Sequence, residues 1–332
     1  MPLRSEGAPA AVNGGLETGE AMSPTCIAAV VVLYYPDTAM LPPLFRRLRE
    51  SELGIFVFDN TPVESSEGRR CSSLGQVSGF YAPGQNLGIA AAHNWGIKQA
   101  VEKGFSHIIF LDQDSELESE GVEKLFAALN ELTSGGAKVA AVGPLYIDRK
   151  NGQVSPVLSP RWYGPRKCVP KHGDSCPVAS THIIASGALI PLQVFEKVGL
   201  MNERLFIDLV DVEWGERAAR LGYVSYLIPT VSMSHSLGDR CAHIGTRKIV
   251  LHSDARNYYI VRNSTFLALR SSMRLVSRLQ LLIKIPYYLL SYSFFSPNSV
   301  QALRMLVGAV VDGAVGRMGE RSDRSAFGRS AR

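Results

Sequence analysis

Short apolar runs alternate along the first half of the chain with stretches in which apolar residues recur every three or four positions. The apolar runs, rich in β-branched and aromatic residues, are residues 26–33, 55–58, 107–111 and 139–142. Such runs predict buried strands, and the helical spacing between them predicts helices at residues 41–50, 87–103 and 121–132. Strands and helices in this alternation predict an α/β protein with a mostly parallel sheet and crossover helices.

The pattern changes after Gly143. Residues 144–178 are rich in Pro, Gly, Arg and Lys and show little periodicity, which predicts a long functional loop or a small subdomain. Strand character returns further on, at residues 179–190, 223–228 and 231–233. Helices are predicted at residues 194–198, 211–221 and 255–269.

The length and composition allow a sizeable core. A chain of 332 residues, 46% of them hydrophobic, can form one large α/β domain with extensions or two smaller domains. Residues 1–24 are rich in Gly, Ala, Pro and Glu and do not resemble a secretory signal, so we predict a disordered leader. Five cysteines without a CxxC pair favour a reducing compartment. Cys168, His172 and Cys176 lack the fourth ligand and close spacing of a zinc site.

The charge is concentrated in the tail, which we define as residues 271–332. The tail carries nine basic and three acidic residues, a net charge of +6, so the +5 of the whole chain leaves −1 for residues 1–270. This predicts an anionic surface as partner, and an anionic membrane surface is one candidate. An oligomer interface or a helical cap are equal alternatives. No run of about 20 apolar residues is present to span a membrane, and no DNA- or RNA-binding module is visible.

Two carboxylates follow the strand predicted at residues 107–111. Asp112 and Asp114 are two residues apart on an extended segment, so both can face one site. Open α/β sheets bind ligands at this end of their strands. Paired carboxylates hold a hard divalent cation, which in turn holds a diphosphate. Asp59 follows the preceding strand and suits a contact with a ribose or a base. The alternative for Asp112 and Asp114 is an exposed acidic turn, and the alternative for Asp59 is a turn-forming Asp-Asn pair.

A stretch of small residues opens the second predicted helix. It runs from Asn86 through Gly88 to Asn94, and its small side chains would let a ligand approach the backbone. A helix N-terminus also offers unpaired N–H groups to a phosphate. The alternative is tight packing of the helix on the sheet. No GxGxxG follows the first strand, which argues against a nicotinamide enzyme.

Three acids lie among apolar residues between Leu205 and Trp214. Asp208, Asp211 and Glu213 would line a pocket in which one carboxylate acts as a general base, or they would simply cap the start of a helix. Further candidates lie later in the chain. His235 is a plausible third metal ligand, and Arg262 suits either a phosphate or an interface helix.

Taken together, these motifs resemble the inverting family 2 glycosyltransferases, and among them the bacterial L-rhamnosyltransferases. The resemblance covers residues 27–270, and its most specific segments are residues 110–115, 205–214, 235–239, 244–247 and 258–263. It implies a GT-A fold, with a nucleotide-binding half at about residues 25–143, an acceptor half at about 144–270, and a helical extension in the tail, whose end is disordered. It also implies dTDP-β-L-rhamnose as donor and Mg²⁺ or Mn²⁺ as cofactor.

The resemblance assigns a role to each candidate residue. Asp211 falls on the position of the catalytic base, although many relatives have Glu where this chain has Val210. The nucleotide or donor would contact Asp59, Asn86, Gly88, Asn94, Asp112 and Arg262. The metal would be held by Asp112, Asp114 and His235. Acceptor binding, or orientation of the base, would fall to Asp208, Glu213 and Trp214.

The acceptor is left open by the sequence. A glycan or glycolipid is expected, with an enzyme that adds the second rhamnose to a mono-rhamnolipid as one alternative. A lipid-linked acceptor would place the protein in the cytoplasm, on the inner face of the inner membrane. An alternative of another class is a catalytically silent scaffold that binds sugar nucleotides, which the intact set of acids disfavours.

Overall fold

The computed structural model describes residues 26–321, apart from residues 38, 40, 64–75, 150–151, 161–164, 236–239, 245–246 and 252. Of residues 235, 240–244 and 247–251 it describes only the backbone. The predicted leader and the last part of the tail, residues 322–332, lie outside the described part.

Strands and helices alternate as the apolar pattern predicts. The strands are β1 (Ile27–Leu33), β2 (Gly54–Asp59), β3 (Gly79–Tyr81), β4 (His107–Asp112), β5 (Glu116–Leu117), β6 (Val139–Asp148), β7 (Val157–Ser159), β8 (Arg166–Cys168), β9 (Val178–Ser180), β10 (Leu189–Pro191), β11 (Val224–His235), β12 (Arg240–Ile244) and β13 (Arg247–Leu251). The helices are α1 (Leu41–Glu50), α2 (Ile89–Glu102), α3 (Gly121–Ser134), α4 (Leu192–Val198), α5 (Val210–Arg220), α6 (Asp254–Arg270), α7 (Leu275–Phe295) and α8 (Ser299–Val315), with a 3₁₀ turn at Glu203–Leu205.

One mixed sheet organises the chain. Its order is β3-β2-β1-β4-β10-β6-β11-β5, and β9 also pairs with β11. The neighbours from β3 to β4 are parallel, as are β6 and β11, whereas β10 and β5 are antiparallel to their partners. In register, Leu33 is opposite Asp59 and Val32 is opposite Asp112. The carboxyl ends of β2 and β4 therefore bring both acids to one edge of the sheet.

Two layers of helices cover the sheet, because side chains alternate along each strand. On β1, Val31 packs with α1 and α3, whereas its neighbour Val30 packs with α2. Glycine is needed at Gly96 of α2, where an added Cβ would lie 2.4 Å from a methyl group of Val30. Burial of each such aliphatic side chain contributes about 1.5–3 kcal/mol before entropy is subtracted.

The helices of the C-terminal part form a further layer. α6 is almost wholly buried, and α7 and α8 pack on it and on each other. Pro286 lies inside α7 without ending it. Within the described residues, no helix is both long enough and apolar enough to cross a membrane.

The second half differs in detail from the predicted elements. β6 continues to Asp148, into the segment predicted to be a loop, and that segment also contains the β7–β8 hairpin. The strand predicted at residues 179–190 is two short strands, β9 and β10. The strands predicted at 223–228 and 231–233 form one strand, β11, whose register shifts between Ile228 and Ser232.

Candidate active site

Asp59 lies at the end of β2, where its side chain is fully buried. Its Oδ1 accepts a hydrogen bond of 2.9 Å from the backbone N–H of Thr61. No group in the described part of the chain donates to Oδ2. A buried oxygen without a donor is costly, by about 1–3 kcal/mol. Within the described residues, Asp59 Oδ2 therefore keeps an unused capacity to accept a hydrogen bond.

Asp112 and Asp114 lie in a tight turn after β4, and both are half-buried. The N–H of Ser115 donates to the carbonyl oxygen of Asp112 at 3.1 Å. The N–H of Asp112 is 2.9 Å from Ser115 Oγ and 3.3 Å from Ser186 Oγ, and these two hydroxyls lie 2.6 Å apart. The serines thus fix the backbone of the turn and leave the two carboxylates at the edge of the sheet.

The donor set at this turn fits a magnesium or manganese ion. Carboxylate oxygens are the ligands that such hard cations prefer, and Mg²⁺ commonly takes only one or two of them together with phosphate and water. Within the described side chains, no three acidic, histidine or cysteine residues are grouped to form a complete metal cage. The side chain of His235, the predicted third ligand, lies outside the described residues, although its backbone pairs with Asp148.

Asp211 lies in the first turn of α5, directly after a strained loop. In that loop Phe206, Asp208 and Leu209 have φ angles of 65°, 65° and 61°. Non-glycine residues adopt such angles only where the surroundings hold them. Asp211 is half-buried, and its Oδ1 accepts the N–H of Val212 at 2.8 Å. The loop therefore fixes the direction in which α5 presents this carboxylate.

Tyr146 connects Asp211 with the turn after β4. Its hydroxyl is buried and lies 2.9 Å from the carbonyl oxygen of Ser186. Burial, followed by the negative charges of Asp211 and Asp112, holds the pKa of Tyr146 well above its usual value. Asp211 also lines a small pocket together with Phe110 of β4, which lies two residues before Asp112. Sequence patterns did not single out Tyr146, which lies in the segment predicted to be a loop.

The start of α2 differs from the prediction of unpaired N–H groups. The N–H groups of Ile89 and Ala90 donate to the carbonyl oxygen of Phe206, at 2.8 and 3.5 Å. A Cβ on Gly88 would lie 2.5 Å from that same oxygen, and Asn86 Oδ1 accepts the N–H of Gly88. The small residues therefore serve close packing of helix on loop, which leaves contact of Asn86 and Gly88 with the donor as a prediction.

Two predicted donor contacts are occupied within the protein. Asn94 is buried, and its amide links α2 with Met201 and Glu203. Arg262 is also buried, and it donates to the carbonyl oxygens of Leu205 and Gly319 and to the side chain of Asn263. Their polar groups hold neighbouring segments in place, and the contact of these two residues with the nucleotide stays a prediction.

The predicted acceptor residues separate into two kinds. Glu213 accepts a hydrogen bond of 2.8 Å from Arg217. Trp214 is buried, and its indole N–H donates to the carbonyl oxygen of Gly199, directly after α4. Both residues therefore support α5 from inside. These contacts agree with the predicted alternative of orienting Asp211, and contact with an acceptor stays a prediction. Asp208 is instead half-buried at the strained loop, where it pairs with Arg256 at 3.0 Å. Asp208 therefore remains near the surface on the side where Asp211 begins α5.

Fold and motifs together define a sugar-transferring enzyme class. The family model described as Glycosyl transferase family 2 matches residues 30–199, just over half of the chain, and the chain belongs to this family. It is 36% identical over 246 residues to the dTDP-rhamnosyl transferase RfbF of Shigella flexneri, covering 74% of this chain and 80% of that protein. The predicted family and enzyme class are confirmed.

Two further relatives are more distant. The chain is 23% identical over 246 residues to the low-salt glycan biosynthesis hexosyltransferase Agl10 of Haloferax volcanii, with coverage of 72% and 76%. A solved structure of S. aureus TarS residues 1–349 in complex with UDP-GlcNAc superposes with a TM-score of 0.51 at 12% identity, covering 88% of this chain and 82% of that chain. This likeness concerns the fold alone, and it confirms the predicted GT-A class.

Proposed function

We propose that the protein is an inverting rhamnosyltransferase that moves L-rhamnose from dTDP-β-L-rhamnose to a hydroxyl group of a glycan or glycolipid. The identity to a dTDP-rhamnosyl transferase supports the donor. The observation that carries the proposal is the placement of Asp59 and Asp112 at the ends of β2 and β4, on one edge of the sheet. Asp211 opens α5 and lines a small pocket with Phe110, two residues before Asp112, so a donor and an acceptor can meet between these acids.

The donor nucleotide would lie at the edge of the sheet formed by β2 and β4. Asp59 Oδ2, which no described residue pairs, would accept the N–H of the thymine ring. Asp112 and Asp114 would hold Mg²⁺ or Mn²⁺, with His235 as a further candidate ligand. When bound, such a cation neutralises the charge of a departing diphosphate.

The acceptor would approach Asp211. Its carboxylate would take the proton of the acceptor hydroxyl as the oxygen attacks the anomeric carbon from the face opposite the diphosphate. The bond from that carbon to the diphosphate breaks, dTDP leaves, and the proton stays on Asp211. One displacement turns the β-linked donor into an α-L-rhamnoside. Asp208, paired with Arg256 beside the loop, would contact the acceptor.

The division of labour follows the two halves of the chain. We assign the nucleotide to residues 25–143 and the acceptor to residues 144–270, with the tail as an extension. If the acceptor is carried by a lipid, the enzyme works as a peripheral protein at the cytoplasmic face of the inner membrane.

A product assay tests this proposal. The purified chain is incubated with Mg²⁺ or Mn²⁺ and one of dTDP-L-rhamnose, UDP-GlcNAc or UDP-glucose. Acceptors include rhamnosylated glycans, lipid-linked sugars and a mono-rhamnolipid, and products are identified by mass and by the anomeric NMR coupling. We expect an α-linked rhamnose product, and only when dTDP-L-rhamnose is the donor. Transfer from a uridine donor only, or a β-linked product, would contradict the proposal, and absence of both transfer and donor hydrolysis would favour a silent scaffold.

A further inference from the structure

The outer surface of α7 and α8 is apolar although it faces solvent. The exposed apolar side chains of α7 recur at helical spacing and are Leu275, Val276, Leu279, Leu282, Ile283, Pro286, Tyr287, Leu290 and Phe294. Those of α8 are Val300, Leu303, Val307, Val311 and Val315. Ile283, Leu290 and Phe294 are 75%, 73% and 74% exposed. We call these fourteen residues the outer apolar face.

The arrangement reverses the usual pattern of a surface helix. At 100° per residue, the exposed apolar residues of α7 share one side of the helix, and Lys284 at its edge is the one exposed charged residue of this helix. The opposite side, with Leu281 and Ile285, packs inward. A soluble monomer rarely leaves an apolar patch of this extent open to water. The face therefore has a partner in the working state of the enzyme.

Basic residues flank this face. Arg278 and Lys284 lie on opposite edges of the α7 stripe, exposed Arg304 lies among the apolar residues of the α8 stripe, and α7 contains no acidic residue. Partial desolvation by its neighbours, together with the positive charge of Lys167, lowers the pKa of Lys284. In the described part of the chain, no ion pair involves Lys167, Lys284 or Arg304. These three cations thus have no compensating carboxylate within the described residues.

We propose that the outer apolar face lies in the interface of an anionic lipid membrane, with α7 and α8 parallel to its plane. An apolar helix side bordered by Lys and Arg is the arrangement that binds the boundary between acyl chains and headgroups. Lipid phosphates would supply the missing negative charge. A second copy of the chain would bring the same positive edges to the interface and leave them uncompensated.

The face is joined to the active site through few residues. Tyr292 of α7 is buried, and its burial, Tyr288 and the charge of Asp208 all raise the pKa of Tyr292. The hydroxyl of Tyr258 in α6 donates to Asp312 of α8 at 2.7 Å. The membrane would therefore lie one helix layer away from the strained loop before Asp211. A lipid-borne acceptor would enter on this side, and in this respect the inference rests on the proposed function.

Vesicle sedimentation of the full chain tests the membrane proposal. Wild type should sediment with vesicles of phosphatidylcholine and phosphatidylglycerol and less with phosphatidylcholine alone. The Ile283→Glu/Leu290→Glu variant should bind both kinds of vesicle at least about tenfold more weakly, because two charges enter the boundary between acyl chains and headgroups. Lys98→Gln/Val101→Glu in α2 changes the net charge by the same −2 at exposed positions and should bind like wild type.

A charge variant separates the two contributions. Lys284→Gln/Arg304→Gln should weaken binding to anionic vesicles by about fivefold for each charge removed and leave neutral vesicles nearly unaffected. Equal binding of wild type and the Ile283→Glu/Leu290→Glu variant would overturn the proposal. A wild-type dimer that becomes monomeric in this variant, measured by sedimentation velocity without lipid, would also overturn it and make the face a self-interface.

Donor hydrolysis without vesicles keeps this test apart from the proposed function. Ile283 and Leu290 are surface residues, so their double variant should keep the wild-type circular dichroism spectrum and rate of dTDP release. Vesicle binding without any hydrolysis of dTDP-L-rhamnose would leave the membrane face standing and count against the rhamnosyltransferase. Hydrolysis without vesicle binding would count against the membrane face and leave the rhamnosyltransferase standing.

Discussion

The side-chain amide of Asn263 donates a hydrogen bond of 2.8 Å to the carbonyl oxygen of Ile207. The same nitrogen lies 2.9 Å from the carbonyl oxygen of Leu205 and 3.0 Å from that of Asp208. One fully buried amide in α6 therefore holds three carbonyl groups of the strained loop that leads to Asp211. The contact joins this loop, with its unusual φ angles, to a residue more than 50 positions later in the chain.

Replacement of Asn263 by Ala should lower the free energy of unfolding by about 1–3 kcal/mol, since buried carbonyl groups lose their donor. Turnover should fall as well, because the loop no longer fixes Asp211. Urea unfolding and steady-state kinetics measure the two effects. Ser264→Ala is the matched control, because Ser264 is buried next in sequence and its hydroxyl has no partner among the described residues. Reduced stability with unchanged turnover would show that the amide does not position Asp211.

Asp211→Asn should lower rhamnosyl transfer by about 10²–10⁴-fold, the usual contribution of a general base. The affinity for dTDP should stay close to wild type, because the carboxylate acts on the acceptor. Glu196→Gln is a suitable control, since it neutralises an exposed carboxylate on α4. Turnover near wild type in Asp211→Asn would rule out this residue as the base.

Asp114→Ala should weaken binding of dTDP in the presence of Mg²⁺ or Mn²⁺, because one of the two carboxylates that would hold the ion is lost. Without a divalent ion, wild type and variant should bind dTDP with similar affinity. Glu116→Gln alters a nearby exposed acid that pairs with Arg149 at 2.9 Å, and it should not change the metal effect. Calorimetry that finds equal affinities in metal for wild type and Asp114→Ala would exclude a metal role for Asp114.

Asp59→Asn should weaken dTDP binding by about ten- to a hundredfold, the value of one hydrogen bond to a charged group. Measuring wild type and variant with both dTDP and dTDP methylated at N3 of thymine isolates the contact between Asp59 and the thymine ring. The methylated nucleotide should bind poorly to wild type, whereas Asp59→Asn should no longer distinguish the two nucleotides clearly. An unchanged preference in the variant would place the base away from Asp59.

The fold was predictable where its signal is local. Residues 26–33 are apolar at every position and form β1 between two strands, and α3 follows its own helical spacing. β10 was not predicted as a separate strand, because three residues become a strand only through antiparallel pairing with β4 and β6. β6 runs through Pro144, a residue that indicates a loop in sequence but here lies beside β11.

The same distinction applies to the candidate site. Asp59 and Asp112 could be placed at one edge, since parallel strands end together and each acid directly follows an apolar run. Asn263 was visible only as a neighbour of Arg262, because its partners are backbone carbonyl groups, which carry no sequence signal. Arg262 is the opposite case. Its guanidinium group suits a phosphate in sequence, but it is buried and donates to the carbonyl oxygens of Leu205 and Gly319.

Acidification should destabilise the protein through His93, which is buried against the ring of Phe110. Burial lowers the pKa of His93 to about 3, whereas in the unfolded chain it would be about 6.5. The unfolded state therefore binds the proton first, and stability is lost as the pH falls below about 6.5, by about 1.4 kcal/mol for each pH unit. Burial lowers the pKa of His107 as well, to about 4, so part of the loss will persist without His93.

His93→Leu removes the titrating group and keeps an apolar side chain beside Phe110. Between pH 7.5 and pH 5, urea unfolding should show wild type losing about 2 kcal/mol more stability than this variant. His172→Leu changes an exposed histidine and should retain the wild-type slope. If His93→Leu and wild type lose the same stability on acidification, folding does not change the pKa of His93. Its burial would then not be the source of acid sensitivity.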